Sequence, residues 1–146
     1  MSVRIVIGVW SILKEDARAV RHEVFVIEQN IPVDLEWDGH DPVCLHAVAY
    51  DEKGQPLGTG RLLPDGHIGR MAVKKPVRGT GIGGALLMAL VQEAELRGDR
   101  AVMLNAQAQA AAFYVRHGFV RDGEEFMEAG IPHIAMRYAF PGAEIT

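Results

Sequence analysis

Four glycines lie within six residues of this chain: Gly79, Gly81, Gly83 and Gly84. They separate the strand-like run Ile68–Val73 from Ile82–Arg97, whose apolar residues recur at helical spacing. Glycine in a helical turn costs up to about 1 kcal/mol relative to alanine, so the cluster indicates close approach to the backbone. The first N–H groups of a helix lack internal partners and lie at the positive end of its dipole. The segment therefore predicts an anion site.

The length of the chain fits one domain, residues 1–146, because single globular units typically run to about 100–150 residues. With 49% apolar and 23% charged residues, the composition is that of a packed globular protein. Strand and helix patterns follow one another in an order that predicts an α+β architecture with a mixed central sheet. We find no repeat or interdomain linker.

The predicted elements are, in order, strand Val3–Val9, helix Ile12–Ile27, strands Val43–Tyr50, Pro56–Leu63 and His67–Val73, helix Ile82–Arg97, strand Ala101–Leu104, helix Gln107–His117, a short segment Phe119–Arg121 and strand Ile134–Phe140. Between the first helix and the second strand, Glu28–Pro42 is rich in Asn, Pro, Asp and Gly. A loop of about 15 residues is long for a compact domain, so we expect it to line a site.

Charge and cysteine content exclude several classes of function. Fifteen basic and 19 acidic side chains give a net charge of −4, which argues against nucleic-acid binding through phosphate neutralisation. Cys44 is the only cysteine, so an intrachain disulfide and cysteine-based zinc sites are excluded, and we expect a buried, inert thiol. No apolar run is long enough to cross a bilayer, and the first ten residues do not resemble a secretory signal. We expect a cytoplasmic protein with no membrane partner.

Four carboxylates crowd the long loop: Asp34, Glu36, Asp38 and Asp41. They could attract a cationic amine, but we favour a solvated loop, and no metal is predicted because their spacing matches no known ligand motif.

Three phosphate-binding motifs compete for the glycines. The P-loop is excluded, because Gly84 is followed by Ala85 rather than by the Lys-Ser/Thr pair that this motif requires. The dinucleotide fingerprint GxGxxG matches literally, but Lys74–Arg78 separate the strand from the glycines and Asn105 stands where a ribose-binding carboxylate is expected. The motif RxxGxG is satisfied by Arg78, Gly81 and Gly83.

Through RxxGxG and its flanking elements the sequence resembles the GNAT superfamily of acetyl-coenzyme-A-dependent N-acetyltransferases. Phe113–Phe119 is similar to the family's FYxxxGF segment. The segments Arg21–Gln29 and Gly130–His133, together with His46 and the acidic loop, resemble the ElaA-like branch.

The resemblance implies a three-layer fold whose mixed central sheet is splayed and flanked by helices, with the pantetheine arm of acetyl-CoA between strands that end near Val73 and Leu104. The residues that it assigns to this cosubstrate are Met71, Ala72, Val73, Arg78, Gly79, Thr80, Gly81, Ile82, Gly83, Gly84, Asn105 and Phe113. Asn105 could equally be a residue that simply ends a strand.

The resemblance also assigns catalytic roles. Tyr114 matches the family's usual acid for thiol release, whereas spacing alone favours a packed aromatic residue. From its position at the start of the long loop, Glu28 is the leading candidate for the base or the amine-binding group, because a carboxylate there could accept a proton directly or through water. His133 is the second candidate, because histidine changes protonation state near neutral pH. Gln29 and His133 are expected to contact the substrate, and His46 is expected to be a core residue.

The predicted activity is transfer of an acetyl group to a primary amine of a small molecule or peptide by direct attack in a ternary complex. The alternative is a catalytically inactive coenzyme-A-binding sensor, and a homodimer is compatible with either.

Overall fold

The computed structural model describes residues 2–141. Its strands are β1 (Arg4–Val9), β2 (Leu45–Tyr50), β3 (Pro56–Leu62), β4 (Ile68–Val73), β5 (Ala101–Gln107), β6 (Val120–Arg121), β7 (Phe126–Glu128) and β8 (Ile131–Ala139). Its α-helices are α1 (Trp10–Arg21), α2 (Val33–Glu36), α3 (Ile82–Leu96) and α4 (Ala111–Arg116).

The strands form two antiparallel sheets that are joined by a single parallel β-bridge. The first sheet has the order β1-β2-β3-β4, and the second has the order β5-β8-β6 with β7 also on β8. The sheets touch through a parallel bridge between His67 and Met103, where the Met103 N–H donates to the Gly66 carbonyl at 3.1 Å. Within the described residues, β4 and β5 form no further bridge. This is the mixed, splayed sheet that the sequence predicts.

Strand β4 contains a bulge opposite Gly60. Thr59 pairs with Ala72 and Arg61 pairs with Gly69, so Gly60 of β3 faces two residues of β4, Arg70 and Met71. An extra residue of this kind increases local twist and bends the strand. Arg70 adopts a φ of +51°, a conformation that non-glycine residues seldom take.

Helices cover both faces of the first sheet because neighbouring residues of a strand point to opposite sides. Ala47 and Ala49 belong to the main core, which contains Leu86, Leu87 and Leu90 of α3. Val48 and Tyr50 instead pack with Leu13 and Ala17 of α1. The molecule therefore has three layers, with the sheet between helices.

Several predicted boundaries differ from those in the structure. The first helix starts at Trp10 and ends as an α-helix at Arg21, after which His22–Glu28 forms a wider π-helical segment. The predicted loop contains the short helix α2. Helix α4 starts only at Ala111, after a 3-10 turn at residues 108–110.

Two strands are longer than their apolar pattern. Strand β5 continues past Leu104 to Gln107 because β8 pairs with it along its whole length. Strand β8 starts at Ile131 rather than Ile134, since its first residues pair with β7, which the sequence did not predict. Pairing with a neighbouring strand thus extends both strands beyond the apolar pattern of the sequence.

Candidate active site

A cavity of about 750 Å³ opens where β4 and β5 separate. One wall carries β4 and the start of the glycine loop, and the other carries β5, α4 and the β7–β8 hairpin. A third side is formed by the π-helical segment and the loop that follows it. The predicted site residues that line the cavity are Glu28, Gln29, Met71, Ala72, Val73, Arg78, Asn105, Tyr114 and His133.

The β4 wall presents backbone groups to the cavity. Ala72 and Val73 pair with β3 on one edge, and Met71 lies in the bulge beside them. Within the described residues the other edge of these three residues faces no strand, since the bridge to β5 lies at His67. Peptide groups at such an edge can pair with the amides of an extended ligand. The opposite wall places Asn105 inside β5, opposite Ala135, rather than at a strand end.

The start of α3 offers unpaired backbone donors. Gly79 and Gly81 have φ values of +80° and +89°, which favour glycine at both positions. No side chain caps the helix, and its first internal bond runs from the Ala85 N–H to the Gly81 carbonyl. The N–H groups of residues 82–84 are therefore left without a helical acceptor. The Thr80 hydroxyl tightens the loop by donating to the Val77 carbonyl at 2.6 Å.

The two later glycines have a packing role. A Cβ atom at Gly84 would lie 2.6 Å from Nε2 of His117, and one at Gly83 would lie 3.5 Å from the ring of Phe113. Phe113 therefore packs against the start of α3, outside the cavity lining. The sequence argument attributed all four glycines to anion approach, but the structure shows that Gly84 also makes room for His117.

Arg78 and Glu28 form an ion pair at the mouth of the cavity. Both terminal nitrogens of Arg78 donate to the carboxylate of Glu28, each at 2.6 Å, and Nε of Arg78 donates to the Val73 carbonyl at 2.9 Å. The hydrogen bonds from Arg78 lower the pKa of Glu28. A carboxylate held in this way is a weak proton acceptor.

Tyr114 places a hydroxyl group inside the cavity. Its side chain is buried between Phe113 and Phe119, with ring centroids 5.0 and 6.0 Å away. Among residues 2–141 the hydroxyl has no hydrogen-bond partner, and burial raises the pKa of Tyr114 to about 12. The group therefore remains protonated and is free to donate a hydrogen bond to a ligand.

His133 is a buried histidine whose two ring nitrogens both face oxygen atoms. Nδ1 lies 2.7 Å from the Ile131 carbonyl oxygen, which can only accept a hydrogen bond, so Nδ1 carries a hydrogen. In the neutral ring Nε2 therefore carries the lone pair, and it lies 3.6 Å from Oε2 of Glu128, which pairs with the ring when the ring is protonated. The ring stacks on Phe126. Sequence reasoning did not identify Glu128, which belongs to the unpredicted strand β7.

A chain of amide side chains crosses the cavity. Gln107 of β5 donates to Oε1 of Gln29 at 3.0 Å, and Gln109 donates to Gln107 at 3.1 Å. Neither Gln107 nor Gln109, which lies in the 3-10 turn after β5, was identified from the sequence. The signal was available for Gln107, because it lies two residues beyond Asn105 and so on the same face of the strand.

Comparison with known proteins identifies the family. The model of the acetyltransferase (GNAT) domain matches residues 43–140, more than half of the chain. The chain belongs to the GNAT acetyltransferase family. GNAT enzymes transfer an acyl group from acyl-CoA to an amine, so the chain is a transferase with an acyl-CoA cosubstrate. The family resemblance inferred from the sequence is thereby confirmed.

Individual relatives agree with this assignment. The uncharacterized N-acetyltransferase YjcF of Bacillus subtilis is 43% identical over 126 residues, covering 84% of this chain and 89% of the relative. An acyl-CoA N-acyltransferase from Pseudomonas aeruginosa is 37% identical with a TM-score of 0.84, covering 94% of this chain and 100% of that one. Escherichia coli ElaA is 27% identical with a TM-score of 0.83, covering 94% and 99%.

Two of the four carboxylates in the acidic loop of this GNAT domain are buried, contrary to our expectation of a solvated loop. Glu36 and Asp41 are each bonded to Arg21, with Oδ1 of Asp41 2.8 Å from Nη1. Arg61 contacts Asp41, at 3.0 Å, and also Asp38, which is exposed. Glu36 and Asp41 can be buried because arginines from other elements neutralise them, which the loop sequence cannot reveal.

Arg70, at the bulge of β4, joins this network. It donates to Asp38 and to the Glu36 carbonyl, both at 3.2 Å. The network attaches the loop to the first sheet and forms a charge-balanced wall of the cavity. Of the four carboxylates, only Asp34 is left exposed without such a partner among the described residues.

Two other predictions about the core are confirmed. Burial raises the pKa of the Cys44 thiol to about 11, as expected for an inert thiol. His46 is buried, with Nε2 2.9 Å from the Asp41 carbonyl oxygen, and burial lowers its pKa.

In residues 2–141 no group of three His, Cys, Asp or Glu side chains could hold a metal ion, and no helix there is long and apolar enough to cross a membrane.

Proposed function

We propose that this GNAT domain transfers an acetyl group from acetyl-CoA to a primary amine of a small molecule or peptide, by direct attack in a ternary complex. The observation that carries the proposal is the cavity between β4 and β5, where Tyr114 and His133 present a hydroxyl hydrogen and a nitrogen lone pair. We further propose that the enzyme is cytoplasmic, and a homodimer remains compatible with it.

The residues present fit the cosubstrate. The free edge of β4 at Met71, Ala72 and Val73 suits the amides of the pantetheine arm, and their N–H groups can polarise the thioester carbonyl. The open N–H groups at the start of α3 suit the diphosphate, with Arg78 as a charged donor. We assign Gly79–Gly84 to the diphosphate, and Asn105 and Phe113 to the rest of the donor.

The base must act on an amine that is mostly protonated. An alkyl ammonium has a pKa of about 10.4, so at pH 7 only about one molecule in 2,500 carries a free lone pair. Glu28 is the leading candidate from the sequence, but a carboxylate, with an ordinary pKa of about 4.3, is a weaker base than an imidazole, at about 6.5. The pairing with Arg78 lowers the pKa of Glu28 further. We therefore assign this role to Nε2 of His133, with Glu128 stabilising the imidazolium that forms and Gln29 orienting the amine.

Bond changes follow from these assignments. The ammonium first loses one proton to solvent. The neutral amine nitrogen then forms a bond to the thioester carbonyl carbon, the carbon–sulfur bond breaks, and His133 receives the second proton that the nitrogen loses. Tyr114 donates a hydrogen bond to the departing sulfur. Because its pKa of about 12 exceeds the value of about 8.5 for a thiol, Tyr114 stabilises the thiolate rather than giving up its proton to it.

A thiol-release assay tests the function. Acetyl-CoA is offered with a panel of primary amines and short peptides, and longer acyl-CoA donors are run in parallel. We expect amine-dependent release that is fastest with acetyl-CoA. If calorimetry shows that coenzyme A binds but no amine causes thiol release, the result would instead support a coenzyme-A-binding sensor. Thiol release only with the longer acyl-CoA donors would overturn the preference for acetyl-CoA.

A further inference from the structure

The ion pair between Arg78 and Glu28 leaves Arg78 no pair of adjacent donors for a phosphate. A guanidinium has five N–H groups in one plane. The fork between its two terminal nitrogens is filled by Glu28, and the edge that includes Nε is engaged by the Val73 carbonyl. A bidentate contact to a phosphate therefore requires that one of these partners leave, and Glu28 is the one whose negative charge a phosphate can replace.

The pair is suited to such an exchange. Arg78 and Glu28 are 39% and 34% exposed, and ion pairs of this exposure contribute little to stability. A diphosphate carries more negative charge than one carboxylate, and it would also accept hydrogen bonds from the start of α3. Two anions thus compete for one cation. The diphosphate has the advantage, because the N–H groups at the start of α3 also donate hydrogen bonds to it.

The carboxylate that leaves Arg78 remains beside the cavity. Glu28 is the last residue of the π-helical segment, and both it and the next residue, Gln29, line the cavity. The other carboxylates of the acidic loop that line it, Glu36 and Asp38, are already paired with arginines. A released Glu28 is therefore an available partner for a cationic group there.

We propose that Glu28 is an exchangeable counter-ion: acyl-CoA takes over Arg78, and the released carboxylate binds the ammonium group of the acceptor. This inference rests on the proposed function. It makes donor binding promote acceptor binding and, because such coupling is reciprocal, makes acceptor binding promote donor binding.

The donor half is tested with Glu28→Gln, which weakens the competing anion without shortening the side chain. Calorimetric titration of coenzyme A should show about two- to five-fold tighter binding than in the wild type, since exposed ion pairs contribute a fraction of a kcal/mol to about 1 kcal/mol. Titration with pantetheine, which lacks the diphosphate, should be unchanged. Glu95→Gln, the same charge change on an exposed residue near the other end of α3, should match the wild type. Unchanged or weaker coenzyme A binding by Glu28→Gln would overturn the proposal.

Binding of the acceptor's ammonium group is tested by titrating the protein with butylammonium chloride and recording backbone amide NMR spectra. In protein loaded with coenzyme A, we expect saturable shifts of the amide signals around Gln29. In the free protein the same shifts should require a several-fold higher butylammonium concentration, and in loaded Glu28→Gln they should be absent. Equal titration curves with and without coenzyme A would contradict the exchange.

The two failures can be told apart. A wild type that does not bind coenzyme A would defeat the proposed function itself. A wild type that binds coenzyme A and releases thiol with an amine, alongside a Glu28→Gln variant of unchanged affinity, would defeat only the exchange.

Discussion

The backbone carbonyl of Ile131 fixes the tautomer of His133, because an oxygen that only accepts lies 2.7 Å from Nδ1. The hydrogen must then reside on Nδ1, and Nε2 is left as the basic atom. We expect the long-range proton–nitrogen NMR spectrum of the protein above neutral pH to show the Nδ1–H tautomer for this residue. The opposite tautomer would remove the lone pair from the position that we assign to it.

Replacing His133 with Ala should lower turnover about 100-fold, within the range for loss of a general base, while acetyl-CoA affinity stays near the wild-type value. Because the substitution leaves a space where the ring lay, added imidazole should restore part of the rate. The matched control is His67→Ala, since His67 also lines the cavity but is half exposed and paired with Asp65. Equal losses in both variants would argue against His133 as the base.

Replacing Tyr114 with Phe should slow thiol release by about 10- to 100-fold, because the departing sulfur loses its hydrogen-bond donor. The hydroxyl has no partner among the described residues, so the free energy of unfolding should hardly change. Tyr138→Phe, in β8, serves as the control for removal of a tyrosine hydroxyl. An unchanged rate of thiol release in Tyr114→Phe would show that the Tyr114 hydroxyl has no role in the reaction.

Replacing Arg78 with Ala should weaken acetyl-CoA binding about 10-fold or more, as hydrogen bonds to charged groups contribute about 1.5–3 kcal/mol. Binding of acetyl-pantetheine, which lacks the diphosphate, should stay within about two-fold. Arg78→Lys should recover only part of the loss because lysine has no fork of donors. Equal weakening of both ligands in calorimetry would show that Arg78 does not contact the diphosphate.

Replacing Asp41 with Asn should lower the free energy of unfolding by about 3 kcal/mol, since the side chain bonds both Arg21 and Arg61. Burial alone would raise the pKa of Asp41, but the two arginines outweigh it and hold the pKa below 3.8. The contribution of Asp41 is therefore fully present above about pH 4 and is lost as the pH falls further.

Urea unfolding between pH 3 and pH 7 measures this effect. The difference between wild type and Asp41→Asn should shrink on the acid side of the range. Asp34→Asn, an exposed residue of the same loop, should differ from the wild type by less than about 0.5 kcal/mol at every pH. A destabilisation that does not depend on pH would mean that the carboxylate charge is not the cause.

Much of the fold was predictable because its signals are local. The apolar spacing of Ile82–Arg97 corresponds to α3 within one residue, and the glycines before it mark the backbone positions with positive φ. Boundaries were wrong where pairing with a distant strand extends an element, as in the continuation of β5 to Gln107.

The sequence by itself determined the order of the main elements, the RxxGxG loop motif and the family, because these depend on short segments with fixed spacing. Only the tertiary structure decided that Arg78 holds Glu28, that Arg21 pairs with the buried Glu36 and Asp41 of the long loop, and that Ile131 orients His133. The first two join segments far apart in the chain, and the third depends on the hairpin that turns the ring into the cavity. Which charges are neutralised, and which lone pair is free, follows from that packing.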